Sequence, residues 1–193
     1  GIIYINESTR RYRIPYYFTR FSTLTLRVIS PVANGYLAPV LVVADESLQN
    51  VDAVGFVFGE NDKYTFSVDS GNYTVYALGD FVTPGLNYVL MDKVEVPVAS
   101  HVTKVLSTDN ARTYTIRASS KSGEPLIMYN LNKFLLINTS YGTFPVALGA
   151  FQNGDYGDIK MYMTDTPAYD KIHSELVIDY FGVPARKPGA LTY

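Results

Sequence analysis

The stretch KYTFSVDSGNYTVYA, residues 63–77, contains the strongest structural signal in this sequence. Apolar side chains alternate with polar ones before a break at residues 69–72, and the alternation resumes after it. This pattern predicts a β-hairpin with one buried face, in which Phe66 and Tyr73 lie in the core. Gly71 is expected in the turn because the turn needs a residue that readily adopts positive φ.

The same residues resemble a known family of β-sandwiches. An apolar strand, a short turn that ends in Gly71 and the pattern x-Tyr-x-Val-x-Ala at residues 72–77 are similar to the Gly-x-Tyr hairpin of carboxypeptidase-regulatory-like and transthyretin-like domains. The resemblance implies that Tyr73 is a core residue. It also implies an extracellular module without catalytic activity, because such domains are usually extracellular and rarely catalytic.

A longer and less specific resemblance covers residues 23–193. The order of the hairpin, a strand at 94–98, Asp-x-Ala-Arg at 109–112, Tyr-x-x-x-x-Pro at 162–167 and a closing strand is similar to noncatalytic β-regions of large secreted subtilisin-like peptidases. The Asp, His and Ser segments of those peptidases have no counterpart in this sequence. The resemblance therefore does not imply peptidase activity.

Strand-like runs separated by turn residues recur about every ten residues along the chain, and no window sustains a helical period. We therefore predict an all-β fold, an immunoglobulin-like or transthyretin-like antiparallel β-sandwich with an extended N-terminal strand arm. The expected division is an arm at 1–22, the sandwich at 23–182 with a soft boundary near 107–125, and an extended tail at 183–193. No run approaches the roughly 20 apolar residues of a membrane span.

The composition is that of a globular protein, with 47% hydrophobic and 18% charged residues in a chain of 193. The absence of cysteine excludes disulfides, thiol nucleophiles and cysteine-ligated metals. The sequence has 17 tyrosines and only two glutamines, which suits a stable, aromatic-rich sandwich from a hot environment, as in a thermophile.

The first 22 residues differ from the rest of the chain in charge. They hold four arginines and one glutamate, or +3, whereas the other 171 residues hold 12 basic and 17 acidic residues, or −5. Within this arm an apolar face alternates with a second face that carries Arg11 and Arg13, and the apolar face consists of Tyr12, Ile14, Tyr16 and Phe18. Such a strand could pair within its own domain or insert into the open sheet edge of a neighbouring copy. The charge contrast could be a chance feature of a short window, or it could steer the arm to another copy's acidic surface. Nucleic acid is a poor partner because the acidic body would repel phosphate.

Residues that could carry chemistry are few, and we expect no enzymatic activity. His101 and His173 are far apart, and no nucleotide-binding or hydrolase motif occurs. The acidic turns at Asp45-Glu46, 60–62 and 155–158 could offer oxygen ligands to a structural calcium ion, although none has EF-hand spacing, and no other cofactor is expected. Three N-x-S/T sequons could accept glycans, and they begin at Asn6, Asn72 and Asn138.

Two functions remain open at this point. The first is an extracellular structural subunit that polymerises with itself into a filament, pilus or surface layer, its arm completing the sheet of the next subunit. In its logic this resembles donor-strand pili and archaeal bundling pili. The second is an accessory or binding module of a secreted enzyme, whose tyrosines would contact a cell surface, protein or glycan. The absence of tryptophan disfavours carbohydrate.

Overall fold

The computed structural model describes residues 2–6, 11–15, 21–29, 39–56, 63–80, 86–156, 158–164 and 173–184. Apart from one 3-10 turn at Thr108–Asn110, the regular elements in these ranges are strands, which confirms the all-β prediction. The strands are β1 (Ile2–Asn6), β2 (Arg11–Pro15), β3 (Ser22–Ile29), β4 (Val40–Asp45), β5 (Asn50–Phe56), β6 (Lys63–Val68), β7 (Gly71–Asp80), β8 (Leu86–Val96), β9 (His101–Ser107), β10 (Ala111–Arg117), β11 (Leu126–Thr139), β12 (Gly142–Tyr156), β13 (Asp158–Thr164) and β14 (His173–Pro184).

These strands form a central six-stranded sheet, two three-stranded sheets and a separate hairpin. The central sheet has the order β10-β13-β8-β7-β4-β5, so β10 and β5 are its terminal strands among the described residues. The first small sheet has the order β6-β3-β9, and the second has the order β12-β11-β14. Strands β1 and β2 pair only with each other in the described part of the chain.

The small sheets cover opposite faces of the central sheet, so the domain has three layers. Side chains of β3, β6 and β9 pack with one face of β4, β7 and β8 in a single buried cluster. Side chains of β11 and β12 pack with the opposite face of the same central strands in a second cluster. A strand covered on both faces buries more apolar surface than a strand covered on one face, and each Å² of buried apolar surface stabilises the fold by roughly 25 cal/mol.

Strand β4 shows most clearly how the sequence specifies this arrangement. All six of its residues are buried, and five of them are Val, Leu or Ala. Leu41 and Val43 belong to the first cluster, whereas Val40 and Val42 belong to the second. A strand covered on both faces needs a continuous apolar run rather than an alternating one.

The structure corrects the predicted hairpin at residues 63–77. β6 pairs with β3, whereas β7 pairs with β4 and β8, so the chain crosses from an outer sheet to the central sheet between them. Both hydrogen-bonding edges of β7 are occupied, which leaves no edge for β6. Phe66 and Tyr73 are both buried in the first cluster, to which they contribute from different sheets.

The predicted role of Gly71 is also wrong. Its φ is not positive, since the positive-φ glycines in the described residues are Gly123 and Gly142. Gly71 is the first residue of β7, and a Cβ placed on it would meet the Tyr73 ring at 3.6 Å, an ordinary contact. The turn therefore does not depend on glycine at this position.

The sequence predicted antiparallel sheets, but two of the strand pairs are parallel. β3 pairs in parallel with β9, and β8 pairs in parallel with β13. β13 lies between β8 and β10, so strands from both sides of the predicted soft boundary at 107–125 share the central sheet. Two residues of the predicted tail, Val183 and Pro184, end β14, and residues 185–193 lie outside the described ranges.

Close packing within the core depends on two glycines that an aromatic ring covers. Gly79 faces Tyr88 across the β7–β8 pair, and a Cβ on Gly79 would overlap the Tyr88 side chain. Gly55 on β5 lies under Phe66 of β6, and a Cβ there would come within 2.8 Å of the Phe66 ring. The second contact fixes how the end strand of the central sheet meets the outer sheet.

Candidate assembly surface

The described part of the predicted arm is a hairpin rather than a single extended strand. β1 and β2 pair antiparallel in the register Ile3↔Ile14, Tyr4↔Arg13 and Ile5↔Tyr12. The prediction of one strand failed because residues 2–6 also alternate and supply a local partner for residues 11–15. Tyr16 and Phe18, the other predicted apolar residues of the arm, lie outside the described residues.

One face of this hairpin is apolar and exposed. The cross-strand pair Ile5 and Tyr12 is 46% and 43% exposed, and Ile14 is 45% exposed. In the layered body, by contrast, apolar side chains such as Leu24 and Leu41 are fully buried. A two-stranded hairpin with an open apolar face is at best marginally stable alone in water, so this face is suited to a further contact.

The opposite face of the hairpin is basic. Arg11 lies over the Tyr4 ring, with the guanidinium carbon 4.2 Å from the ring centroid, which is a cation–π contact. Arg13 pairs with Tyr4 in the register and is exposed, with no carboxylate partner in the described ranges. On β2 the two arginines therefore lie on the face opposite to Tyr12 and Ile14.

Strand β5, at one end of the central sheet, has a second set of exposed apolar side chains. Phe56 is 56% exposed, and Val54 on the same face is also exposed. Between Ala53 and Val51 the register with β4 skips Asp52, which makes Asp52 the extra residue of a β-bulge. The terminal strand of the sheet therefore presents apolar side chains near one end and a carboxylate near the other.

Asp52 lies in a region of uncompensated negative charge. Partial loss of water around its carboxylate, followed by the charges of Asp45 and Asp69, raises the pKa of Asp52 above its usual value. Glu46, by contrast, has a cation beside it, since Lys93 Nζ lies 3.1 Å from Glu46 Oε1. In the part of the chain that the structure describes, Asp52 has no such cation.

Tyr73 lies beside these carboxylates at the end of the first buried cluster. Its hydroxyl donates a hydrogen bond to the backbone oxygen of Asp69 at 3.0 Å. Burial, and then the negative charges of Asp52, Asp45 and Asp69, raise the pKa of Tyr73 to about 12. The phenol therefore stays neutral at physiological pH and ties the connection between β6 and β7 to the core.

The acidic turn at Asp45-Glu46 is explained by hydrogen bonds within the chain. Asp45 Oδ1 accepts from the backbone N–H of Ser47 at 2.7 Å and from that of Leu48 at 3.0 Å. Glu46 Oε1 accepts from the hydroxyl of Thr74 at 2.9 Å. The described residues contain no group of three or more His, Cys, Asp or Glu side chains placed to hold a metal ion. The turn at 60–62 and Gly157 lie outside these residues.

The remaining predicted residues lie on the surface or at strand ends. His101 Nδ1 is 2.6 Å from the Thr23 hydroxyl, and His173 begins β14. The three sequon asparagines are all exposed, although Asn72 and Asn138 lie within strands rather than in the predicted turns. Asn138 Oδ1 accepts a hydrogen bond from Thr143 at 3.0 Å.

The outer face of the β6-β3-β9 sheet contains a shallow groove of about 470 Å³. A row of threonines crosses the three strands, and the hydroxyl oxygens of Thr25 and Thr65 are 2.8 Å apart. Two basic residues stand beside this row, and the described lining residues are Thr25, Arg27, Lys63, Thr65 and Thr103. Hydroxyl groups and cations together are suited to hydrogen bonding with a polar or anionic surface.

Sequence reasoning missed both the partner strand β1 and the exposed end strand β5. The alternation in Ile2–Asn6 was a usable signal for β1, because it places Ile3 and Ile5 on one face. For β5 the apolar run Val54-Gly55-Phe56 predicted a strand but gave no sign that it lies at the end of a sheet. That position follows only from the pairing of β4, which is non-local.

Comparisons with known proteins add little to this description. No family model matches the chain, and no curated protein matches it. Among solved structures, the chain is similar to one described as the structure of the Streptococcal ancillary pilin, with 12% identity and a TM-score of 0.30. That match covers 82% of this chain and 59% of the pilin chain. A TM-score this low supports no argument about fold or function. Within the described residues, no helix has the length and apolar character needed to cross a bilayer.

Proposed function

We propose that this chain is a non-enzymatic structural subunit of an extracellular filament or surface layer, in which the arm at residues 1–22 joins one copy to the next. The observation that carries the proposal is the exposed apolar face of the β1–β2 hairpin. Folding a separate hairpin with three exposed apolar side chains is unfavourable unless another surface covers them.

The charge distribution supports the same proposal. The arm carries +3 and the remaining residues carry −5, so the two regions of different copies attract each other. The same contrast disfavours side-by-side contact between two arms, because both would be positive. A head-to-tail contact closes into a ring only if the rotation between successive subunits adds up to a full turn. Otherwise it generates a filament or a sheet of subunits.

Deletion of residues 1–20 tests this proposal. We expect the truncated chain to fold, because the described members of both buried clusters all come from β3 and later strands. It should remain monomeric in sedimentation velocity and form no particles in negative-stain electron microscopy. The full chain should assemble under the same conditions. Assemblies of normal length from the truncated chain would refute the proposal.

A second candidate is a binding module, and the groove on the β6-β3-β9 sheet favours it. Among the lining residues that the structure describes, two are cations, three carry hydroxyls and none is a carboxylate. A glycan array that includes neutral, sulfated and carboxylated saccharides separates the candidates. Binding by the arm-deleted monomer that is lost on Lys63→Ser would support the module, whereas an array without binding would support the structural subunit.

A further inference from the structure

We propose that the exposed edge of β5 is the surface that receives the arm of a second copy. This inference rests on the proposed function, and it names the partner surface that the proposed function leaves open. β5 is a terminal strand of the central sheet, and terminal strands are where an extended segment of another chain adds by β-augmentation.

The apolar residues of the two strands are spaced to match. On β5 the exposed apolar residues Val54 and Phe56 are two positions apart and lie on one face. On β2 Tyr12 and Ile14 are also two positions apart and lie on one face. Neighbouring strands in a sheet lie about 4.8 Å apart, so these side chains would form cross-strand pairs if β2 lay beside β5.

The charges of the two strands are complementary. Asp52 on β5 lies near Asp45 and Asp69, and no cation compensates it in the described ranges. Arg13 on β2 has no carboxylate partner in those ranges. With Tyr12 and Ile14 beside Val54 and Phe56, Arg13 lies opposite Gly55, and its positive charge near this end of β5 would offset the repulsion among the carboxylates.

The other terminal strand of the central sheet provides a comparison. β10 also exposes a large aromatic side chain, Tyr114, which is 44% exposed. The strand nevertheless contains no acidic residue, so it offers a basic arm no carboxylate of its own to bind. Charge therefore selects β5 over β10 as the receiving edge.

The experiment substitutes each terminal strand in the full chain. Phe56→Lys should reduce the assembled fraction about tenfold or more, because a charge then lies at the centre of the apolar contact. The matched control Tyr114→Lys, at the other end of the sheet, should assemble like the unchanged chain. Thermal unfolding of both variants checks that each remains folded. Equal assembly of the Phe56 variant and the unchanged chain would overturn the inference, as would loss of assembly in the Tyr114 variant alone.

A charge exchange tests the polar part of the contact. Arg13→Glu and Asp52→Arg should each weaken assembly, and the chain with both substitutions should recover it, since the pair is then reversed in every contact. Failure of the double variant to recover would count against an attraction between these two charges. If deletion of residues 1–20 prevents assembly while every β5 variant assembles, the proposed function stands and only the receiving edge is wrong.

Discussion

Strand β4 and the β1–β2 hairpin are both rich in apolar residues, yet the described apolar side chains are buried in β4 and exposed in the hairpin. β4 is covered on both faces and between two neighbours, and its side chains are buried. Among the described strands, β1 and β2 pair only with each other, and Tyr12 and Ile14 are nearly half exposed. The difference teaches that apolar alternation predicts a strand with a face to cover but does not specify which molecule covers it.

The largest expected difference between the two regions is in stability. Leu41→Ala in β4 should lower the free energy of unfolding by about 3 kcal/mol, because it leaves a cavity in a fully buried cluster. Ile14→Ala in the hairpin should change it by less than about 0.5 kcal/mol in the dilute monomer. Urea unfolding measures both values. A cost at Ile14 similar to that at Leu41 would mean that the hairpin packs on its own domain.

The central sheet should also be sensitive to added volume at Gly79. A Cβ there overlaps Tyr88, so Gly79→Ala should cost about 1–3 kcal/mol. The matched control is Gly71→Ala, which should cost less than about 0.5 kcal/mol, because the new methyl group finds only ordinary contact and φ is not positive. A double-mutant cycle with Tyr88→Leu assigns the cost at Gly79 to the ring. Equal losses of unfolding free energy in the two variants would contradict the close contact between Gly79 and the Tyr88 side chain.

The connection between β6 and β7 should depend on the Tyr73 hydroxyl. Tyr73→Phe removes the hydrogen bond to Asp69 and should cost about 1 kcal/mol at pH 7. Because the folded pKa is raised from 10 to about 12, the unfolded chain releases this proton first, and the contribution of Tyr73 is lost as pH rises from 10 through 12. Chemical unfolding of both proteins at pH 8 and pH 11 measures the effect. If the two proteins differ in unfolding free energy by the same amount at both pH values, the assigned burial of the Tyr73 hydroxyl is wrong.

The smallest expected effect comes from the uncompensated charge at β5. The pKa of Asp52 is raised in the folded chain, so its ionised form destabilises the monomer at neutral pH, and this penalty disappears as the pH falls below 3.8. Asp52→Asn should therefore raise the melting temperature slightly at pH 7 and leave it unchanged at pH 3. Destabilisation at pH 7 would show that a cation already compensates Asp52 within the same copy.

The part of the fold that sequence could predict was the part set by local chemistry. Alternation around Phe66 and Tyr73 correctly indicated strands with buried aromatic residues. It could not tell a hairpin from a crossing between sheets, because the same short turn serves both. The crossing arises because β7 is apolar on both faces and lies in the interior of the central sheet. Its two edges pair with β4 and β8, so β6 cannot pair with it.

The same limit applies to the candidate assembly surface. The arginines and apolar residues of β2 could be identified from sequence, since their spacing is local. The bulge at Asp52 and the terminal position of β5 could not, because both depend on the register with β4. The exposure of Phe56 likewise depends on the place of β5 in the sheet, and the residues around Phe56 in sequence do not indicate it.

The contact between the arm and β5 of different copies can be measured directly by disulfide trapping, because the chain has no native cysteine. Chains with the single substitution Ile14→Cys are mixed with chains with the single substitution Phe56→Cys and oxidised, so that neither chain can form a bridge within itself. We predict mixed covalent dimers that contain one copy of each variant. Only Ile14→Cys dimers, or no dimers under conditions in which the unchanged chain assembles, would contradict the contact.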